Sequence, residues 1–460
     1  MKKYFLPSFL IVTMLASFAP VTQKTAYAEF DCLTLTSNAT SDQRAYCQNQ
    51  INSLEAQLKE LNNQLAAQKA NSGTLAGDIK LLTTQINAKK TEIKAKQLKV
   101  AQLSESITEK KTAIISLTDK IQNQKESLAQ LIRKTNEMDN RSTVNFLLAS
   151  ESLSSFYSDV SRFETLKAEV KASVDNINTI KGVTEATKAN LEKEQNKTLD
   201  EKQKLASIQK TIEQNQATQK TLLSISKNKE TEYQKVIAAQ QAKVAQIKAK
   251  LFSLAGGGQA IRFDIALAYA ENAANKTGVD PAFVLAILTQ ESSLGKNVGQ
   301  CLLTNTETGA GVGANTGKLF PNVMKPTRDV QPFIAITNKL GLDWKSTRIS
   351  CPIAGVAGWG GAMGPAQFIA STWKIFESRL KVALGHDANP WMAQDAFMAS
   401  AMYLTDLGAV GDSYSAQIRA ACKYYGSGGS SCSYGKSVMN LKTAIQSDID
   451  YLKQYGVSRR

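Results

Sequence analysis

Histidine is nearly absent: the chain of 460 residues has one, His386. That excludes a zinc peptidase site built on several histidine ligands. His386-Asp387 reads instead as the loop before a helix. Tryptophan and proline are scarce and unevenly placed. All four tryptophans (Trp344, Trp359, Trp373, Trp391) and every proline except Pro7 and Pro20 lie beyond residue 259. Aromatic residues make up 7% of a chain whose hydrophobic content is 43%, which suits a protein that is partly long helix and partly globular. Beyond Ala28, no stretch is apolar enough to cross a bilayer.

The N-terminus reads as an export signal over residues 1–28. Lys2 and Lys3 precede an apolar run from Tyr4 to Ala19, and Ala26-Tyr27-Ala28 is a small-x-small cleavage site. The mature chain is expected to begin at Glu29, in the periplasm or the extracellular wall space. An uncleaved membrane anchor is the other reading, but the run is short of the ~20 residues a span needs. Six cysteines in an exported chain point to three disulfides. Their grouping suggests Cys32–Cys47, Cys301–Cys351 and Cys422–Cys432, and sequence alone allows other connectivities. Paired cysteines leave no thiol for a Cys–His nucleophile. The net charge is +15; from Gln259 onward 19 Lys+Arg face 14 Asp+Glu, so most of the excess lies upstream. A basic exported protein suits anionic wall polymers or a membrane surface, and a solvated helix face explains many of the lysines equally well. Export argues against nucleic acid as a partner, and neither metal nor cofactor is expected.

From Ile51 a seven-residue repeat runs through Leu58, Leu65, Ser72, Ile79, Ile86, Ile93, Val100, Ile107, Ile114, Ile121 and Leu128, and only Ser72 is not large and apolar. A companion seam holds Leu54, Leu61, Leu75, Leu82, Leu103, Leu117 and Leu131, interrupted by Gln68, Lys89, Lys96, Lys110 and Gln124. This period predicts a left-handed coiled coil in which the polar seam residues set register. Gly73 and Gly77 mark a weak spot. A patchier seam covers about Phe163 to Leu254. Between the two, the heptads stop, and Phe146, Leu147, Leu148, Phe156 and Tyr157 form an apolar cluster. The expected fold is all-α. After a segment over 29–50 comes an antiparallel coiled-coil hairpin over 51–254, tipped near 139–160, with arms of roughly 90 residues, or ~135 Å at ~1.5 Å per residue. A Gly-rich linker over 255–259 leads to a mainly helical domain over 260–460, with a long loop region from Asn297 to Gly361.

Two stretches of that domain hold candidate chemistry. Asp280-Pro281 is a good helix start. The helix from Phe283 to Gly295 is apolar nearly all round and so should be buried. Glu291 lies at its C-terminal end, where burial and the helix dipole both raise a carboxyl pKa. A carboxylic acid still protonated near neutral pH is what glycosidic cleavage requires; a surface glutamate in the last turn is the plainer reading. The second stretch is Trp359-Gly360-Gly361-Ala362-Met363-Gly364-Pro365-Ala366-Gln367-Phe368. Its glycines permit close approach of a ligand, and Gln367 offers an amide that both donates and accepts. An ordinary turn before a helix is the alternative.

Gln290-Glu291-Ser292 resembles the Glu-Ser motif of the lytic transglycosylase and goose-type lysozyme superfamily. Gly361 to Phe368 resembles the Gly-x-Met-Gly-x-x-Gln-Phe motif of the membrane-bound lytic transglycosylase B branch. Asn389-Pro390, Asp395-Ala396 and Tyr403-Leu404 are similar to that branch's Asn-Pro…Asp-Ala…Tyr-Leu helix. Tyr424-Tyr425-Gly426-Ser427 resembles its Tyr-Asn-Gly-Ser segment, with Tyr425 in place of asparagine. Tyr434-Gly435-Lys436-Ser437-Val438 resembles its closing Tyr-Ala-x-x-Val. The motifs keep the family's order over roughly Ala260 to Asn440. The resemblance implies a lysozyme-like helical fold that cleaves peptidoglycan glycan strands. It implies that Glu291 protonates the oxygen between N-acetylmuramic acid and N-acetylglucosamine, then accepts the proton of the muramoyl 6-hydroxyl as a 1,6-anhydro ring closes. It also implies that Ser292, Met363, Gly364, Gln367, Phe368, Tyr403, Tyr424 and Tyr425 bind the substrate.

Cys301 to Cys351 is an insertion between two motifs, read either as a loop that extends or gates glycan binding or as a stapled surface loop. Residues 142–162 resemble part of the coiled coils of septal peptidoglycan hydrolases and their activators, which implies docking on the extracytoplasmic part of a division ABC transporter; a self-packed hairpin tip is the other reading. Three functions follow: a lytic transglycosylase, a hydrolysing muramidase in which water replaces the 6-hydroxyl, or an inactive muramidase-like glycan-binding scaffold on a coiled coil.

Overall fold

The computed structural model describes residues 30–69, 74–139, 153–225, 230–252, 261–294, 299–355, 357–426, 429 and 431–456. The signal over 1–28, the linker over 255–259 and the tip residues Phe146, Leu147 and Leu148 lie outside them; Phe156 and Tyr157 belong to a helix, but their side chains lie outside the description. The fold is all-α, with short two- and three-residue strands only in loops. Among the described residues no helix is long and apolar enough to cross a membrane.

The expected first arm divides in two. Helix α1 (Ser41–Lys69) and helix α2 (Leu75–Asp139) run antiparallel: Arg44 contacts Glu105 and Glu109, Gln48 contacts Gln102, and Glu55 contacts Lys99. As one chain position rises its partner falls, so the chain reverses between Lys69 and Thr74. Asn71, Ser72 and Gly73 are weak helix formers there, and Thr74 caps α2, its Oγ1 accepting the Gly77 amide at 3.1 Å. The continuous arm expected from Ile51 to Leu131 is therefore corrected. A reversal that keeps the heptad phase leaves no mark on the period.

Helix α3 (Leu153–Ser224) returns along α2 as an antiparallel partner, with Lys110–Glu194 at 3.0 Å and Lys96–Glu201 at 2.8 Å. These polar seam residues set register as inter-helix ion pairs. Burial marks where α1 ends. Leu81, Leu82, Ile86, Ala88, Ala95 and Glu105 are buried in the three-helix section. Further out, α2 is half-buried at Ile114, Leu117, Ile121, Gln124, Leu128, Leu131 and Thr135, with Ala129 beside them, among mostly exposed positions; those seven keep the three–four spacing of a two-stranded seam.

The second arm also divides. Helix α4 (Glu230–Ala249) starts beside the end of α3, where Tyr233 packs with Leu82 and Leu222 and donates to Asp78 at 2.8 Å. It then leads back: Lys243 lies over the Tyr451 ring, and Lys250 pairs with Asp448 at 3.2 Å. The C-terminal domain is thereby laid along the flank of α2 and α3 rather than beyond their end. Its Gln454 reaches Gln85 and Asn215, and its Ser413 hydroxyl and Ser415 amide each donate to Asp200 at 2.7 Å.

The C-terminal domain packs α5 (Phe263–Thr277), α6 (Pro281–Leu294), α7 (Gln331–Lys339), α8 (Ala370–Leu384), α9 (Ala393–Asp406), α10 (Tyr414–Tyr424) and α11 (Ser433–Tyr455) around one apolar core. Helix α6 is its axis: Ala282 through Leu288 are fully buried, as the all-round apolar sequence predicts. Strands β1 (Leu251–Phe252) and β2 (Ile261–Arg262) pair across the linker. The insertion forms an antiparallel sheet of β3 (Cys301–Leu303), β4 (Gly311–Gly313) and β5 (Leu319–Phe320), followed by a π turn and α7. Strands β6 (Ala362–Met363) and β7 (Phe368–Ile369) make the hairpin that carries the Gly-Pro-Ala-Gln turn. All three expected disulfides form, and no cysteine among the described residues is free. Three disulfides fit an oxidising environment.

Candidate functional site

Helix α6 delivers Glu291. Its start is fixed by Asp280, whose Oδ1 accepts the Ala282 and Phe283 amides at 2.8 and 3.2 Å, and by Pro281 at the first helical position. Lys442 of α11 pairs with Asp280 at 3.0 Å and donates to Gln417 of α10 at 2.7 Å, which ties three helices together. One residue before the acid, Gln290 accepts from the Ser437 hydroxyl at 2.8 Å. The rotation of α6 about its axis is thus fixed beside Glu291.

The Glu291 residue keeps a partly exposed edge, while its carboxyl is desolvated by the surrounding protein. Burial pushes its pKa above the ordinary carboxylate value. Tyr434 opposes this in part by donating its hydroxyl to Oε1 at 2.6 Å. Among the described residues no cation pairs with Glu291. Burial and the neighbouring Glu291 charge keep the Tyr434 phenol protonated far above neutral pH, so its proton is available to donate to Glu291. Tyr425 stacks on Tyr434 with centroids 4.7 Å apart and planes 13° apart, and its outer part is exposed. A ring that is supported on one face and open at its edge is a platform of the kind that packs on sugars.

The β6–β7 hairpin comes to the same place. Tyr424, raised by burial and then by the Glu291 charge, donates to the Ala366 carbonyl at 3.0 Å. Gln367 adopts φ of 55°, the only positive φ on a non-glycine among the described residues, and such strain concentrates at functional sites. Its backbone N and its Nε2 both donate to the Gly364 carbonyl, at 3.2 and 2.6 Å, so one amide proton is committed to the turn itself. Gly364 has no alternative: its φ is 55°, and a Cβ would lie 1.8 Å from the Pro390 carbonyl oxygen. The Asn389-Pro390 loop is braced in turn by buried Asp395, which accepts the Asn389 amide at 2.8 Å and contacts His386 Nε2 at 3.1 Å. The insertion flanks the hairpin: the Ser350 amide donates to the Ala362 carbonyl at 2.8 Å, the Ala362 amide donates to Ser350 Oγ at 2.9 Å, and Trp391 Nε1 donates to the Arg348 carbonyl at 2.9 Å.

The structure therefore gathers Glu291, Gln367, Tyr424 and Tyr425, with Gly364 shaping the turn. Two expected contact residues are corrected. Met363 and Phe368 are cross-strand partners on one face of the hairpin, at 1% and 4% exposure, so they face the core. Phe368 packs on Trp373, Phe376, Tyr403 and Tyr424 and supports the site from below. Tyr403 is half-buried in the same cluster. The Ser292 side chain lies outside the described residues. Tyr434, the partner of the acid, was missing from the residues expected to form the site; its place in the closing Tyr-x-x-x-Val segment was the available signal. Compared with protein families, curated proteins and solved structures, the chain matches none.

Proposed function

We propose that the chain is an exported peptidoglycan lytic transglycosylase in which Glu291 supplies both proton transfers. The observation that carries this reading is a desolvated carboxyl whose only described polar partner is the Tyr434 hydroxyl. Burial keeps the proton on the acid, and the phenol steadies the anion once the proton has gone. Glu291 protonates the glycosidic oxygen, and the bond from that oxygen to the muramoyl C1 breaks. The same carboxylate then takes the proton of the 6-hydroxyl as O6 bonds to C1. One acid acting twice replaces the two-carboxylate arrangement of most glycosidases. Gln367 and the exposed edge of Tyr425 are the remaining groups of the gathered site that face a glycan.

Three disulfides and a basic coiled coil suit the wall side of the membrane. On this reading the far end of α2 and α3 is the part from which a membrane partner, such as a division transporter, is reached. The test is digestion of purified peptidoglycan by the full chain, with mass spectrometry of the released ends. 1,6-Anhydro ends are expected. Reducing ends would make it a hydrolysing muramidase, and intact strands would leave a glycan-binding scaffold.

A further inference from the structure

The Cys422–Cys432 disulfide joins α10 to the residue before α11, and two aromatic residues of the site lie close to it in sequence. Tyr425 follows Cys422 by three positions, and Tyr434 follows Cys432 by two. Cys422 is fully buried on α10, while Cys432 caps α11, its Sγ accepting the Gly435 amide at 3.2 Å. Gly435 packs hard against the bridge: a Cβ there would lie 2.8 Å from Cys422 Sγ and 3.0 Å from the Ile418 carbonyl oxygen. The bond thus bears directly on the first turn of α11, one residue from Tyr434. At the other end of that tyrosine, the hydroxyl donates to Glu291 at 2.6 Å, while the ring carries Tyr425. Bridge, helix start, phenol and acid form one continuous line of contacts.

A stabilising cross-link has no need of this place. The ends of α10 and α11 are already bound to the core by Ile418, Ala421, Val438 and Met439. What the bridge adds is a fixed separation between the backbones that carry Tyr434, whose phenol donates to Oε1, and Tyr425, whose ring stacks on it. Misplacement of about 1 Å at such a contact is enough to lose most of a catalytic advantage.

We propose that the Cys422–Cys432 disulfide is a positioning element for the general acid: it holds the Tyr425–Tyr434 pair against Glu291, and cutting it disables glycan cleavage while the domain stays folded. The inference rests on the lytic-transglycosylase reading of Glu291. Its signature is a shift in the pH profile. The Tyr434 bond favours ionised Glu291, so releasing it leaves burial unopposed and moves the alkaline limb to higher pH.

The experiment compares the full chain with its Cys422→Ala/Cys432→Ala variant on purified peptidoglycan across pH, alongside circular dichroism and melting curves. Cys32→Ala/Cys47→Ala, in the N-terminal knob on α2, controls for loss of a disulfide as such. The site variant is expected to fold, to lose at least about tenfold in rate and to show the raised alkaline limb. The control is expected to keep its limb in place. An unchanged rate in the site variant overturns the inference, and so does a lost rate with the limb unmoved or lowered. Should the double variant fail to fold, Cys432→Ser keeps an acceptor for the Gly435 amide and is judged by the same two readouts. A wild-type chain that leaves peptidoglycan intact overturns the enzymatic reading, and this inference with it.

Discussion

The coiled coil and the C-terminal domain each bury a glutamate, and they treat it differently. In the coiled coil, Glu105 of α2 lies between helices with Arg44 of α1 at 2.9 Å. Burial raises its carboxyl, and the guanidinium pulls it back. In the C-terminal domain, burial likewise raises Glu291, but the counterweight is a neutral phenol. A cation holds a carboxylate as an ion pair and makes it a cross-link; a hydroxyl stabilises the anion less and leaves the proton available for transfer. Lys96–Glu201 and Lys110–Glu194 follow the first pattern, so the acids of the long helices lock register. The acid at the end of α6 stands apart from them because no described cation reaches it.

The largest expected effect separates the two glutamates. Glu291→Gln should lower the cleavage rate by about 10²–10⁴-fold, whereas Glu105→Gln should lower the melting temperature and leave the rate within about twofold, as assayed on purified peptidoglycan. The same Glu291 change has a stability signature. A carboxyl whose folded pKa is raised contributes stability below its unfolded pKa of ~4.3 and loses it as pH rises through the folded value. Glu291→Gln should therefore be the more stable protein at pH 8 by denaturant unfolding, and the gap should close in acid.

Gly364→Ala comes next. With φ of 55° and the Pro390 carbonyl in the way, it should cost on the order of 3 kcal/mol in denaturant unfolding and displace the Gln367 turn. Tyr434→Phe keeps the ring and removes a hydrogen bond to a charged group, a loss of about 1.5–3 kcal/mol for the anion. Its rate should fall about tenfold with the alkaline limb raised, in a pH–rate series. The smallest effect is at the junction of the two regions. Asp200→Ala removes the acceptor that the coiled coil lends to the N-terminus of α10 and should cost about 1 kcal/mol of unfolding free energy, leaving the cleavage limb where it was.

The coiled coil was legible because burial repeats: Ile114 to Leu131 kept its spacing from sequence to structure. The reversals before Thr74 and Glu230 were not legible, since heptads report a helix face and say nothing of which helix covers it. Gly73 and Gly77, with Ser72 in the seam, were the local signs of the first, and they mark a weak spot without saying that the chain turns back. In the C-terminal domain, buried α6 and the position of Glu291 followed from apolar residues on every side of the helix. The partner of Glu291 did not, because Tyr434 is brought there by packing of α11 on α6 across a long separation in sequence. Met363 and Phe368 were misplaced because a motif names residues without saying which face of a two-residue strand each occupies; the register of β6 with β7 turned both inward. The positive φ of Gln367 was hidden for a similar reason, since its turn closes on the carbonyl of Gly364, which lies against Pro390 of another loop.

That Glu291 holds its proton is tested most directly by titrating the residue itself. Carboxyl-¹³C glutamate is introduced into the full chain, and the Glu291 signal is assigned by its loss in Glu291→Gln. Its midpoint should lie clearly above the ~4.3 of an ordinary glutamate and should rise further in Tyr434→Phe. A midpoint at or below the ordinary value would mean that Glu291 is ionised at neutral pH, and would contradict its role as the proton donor.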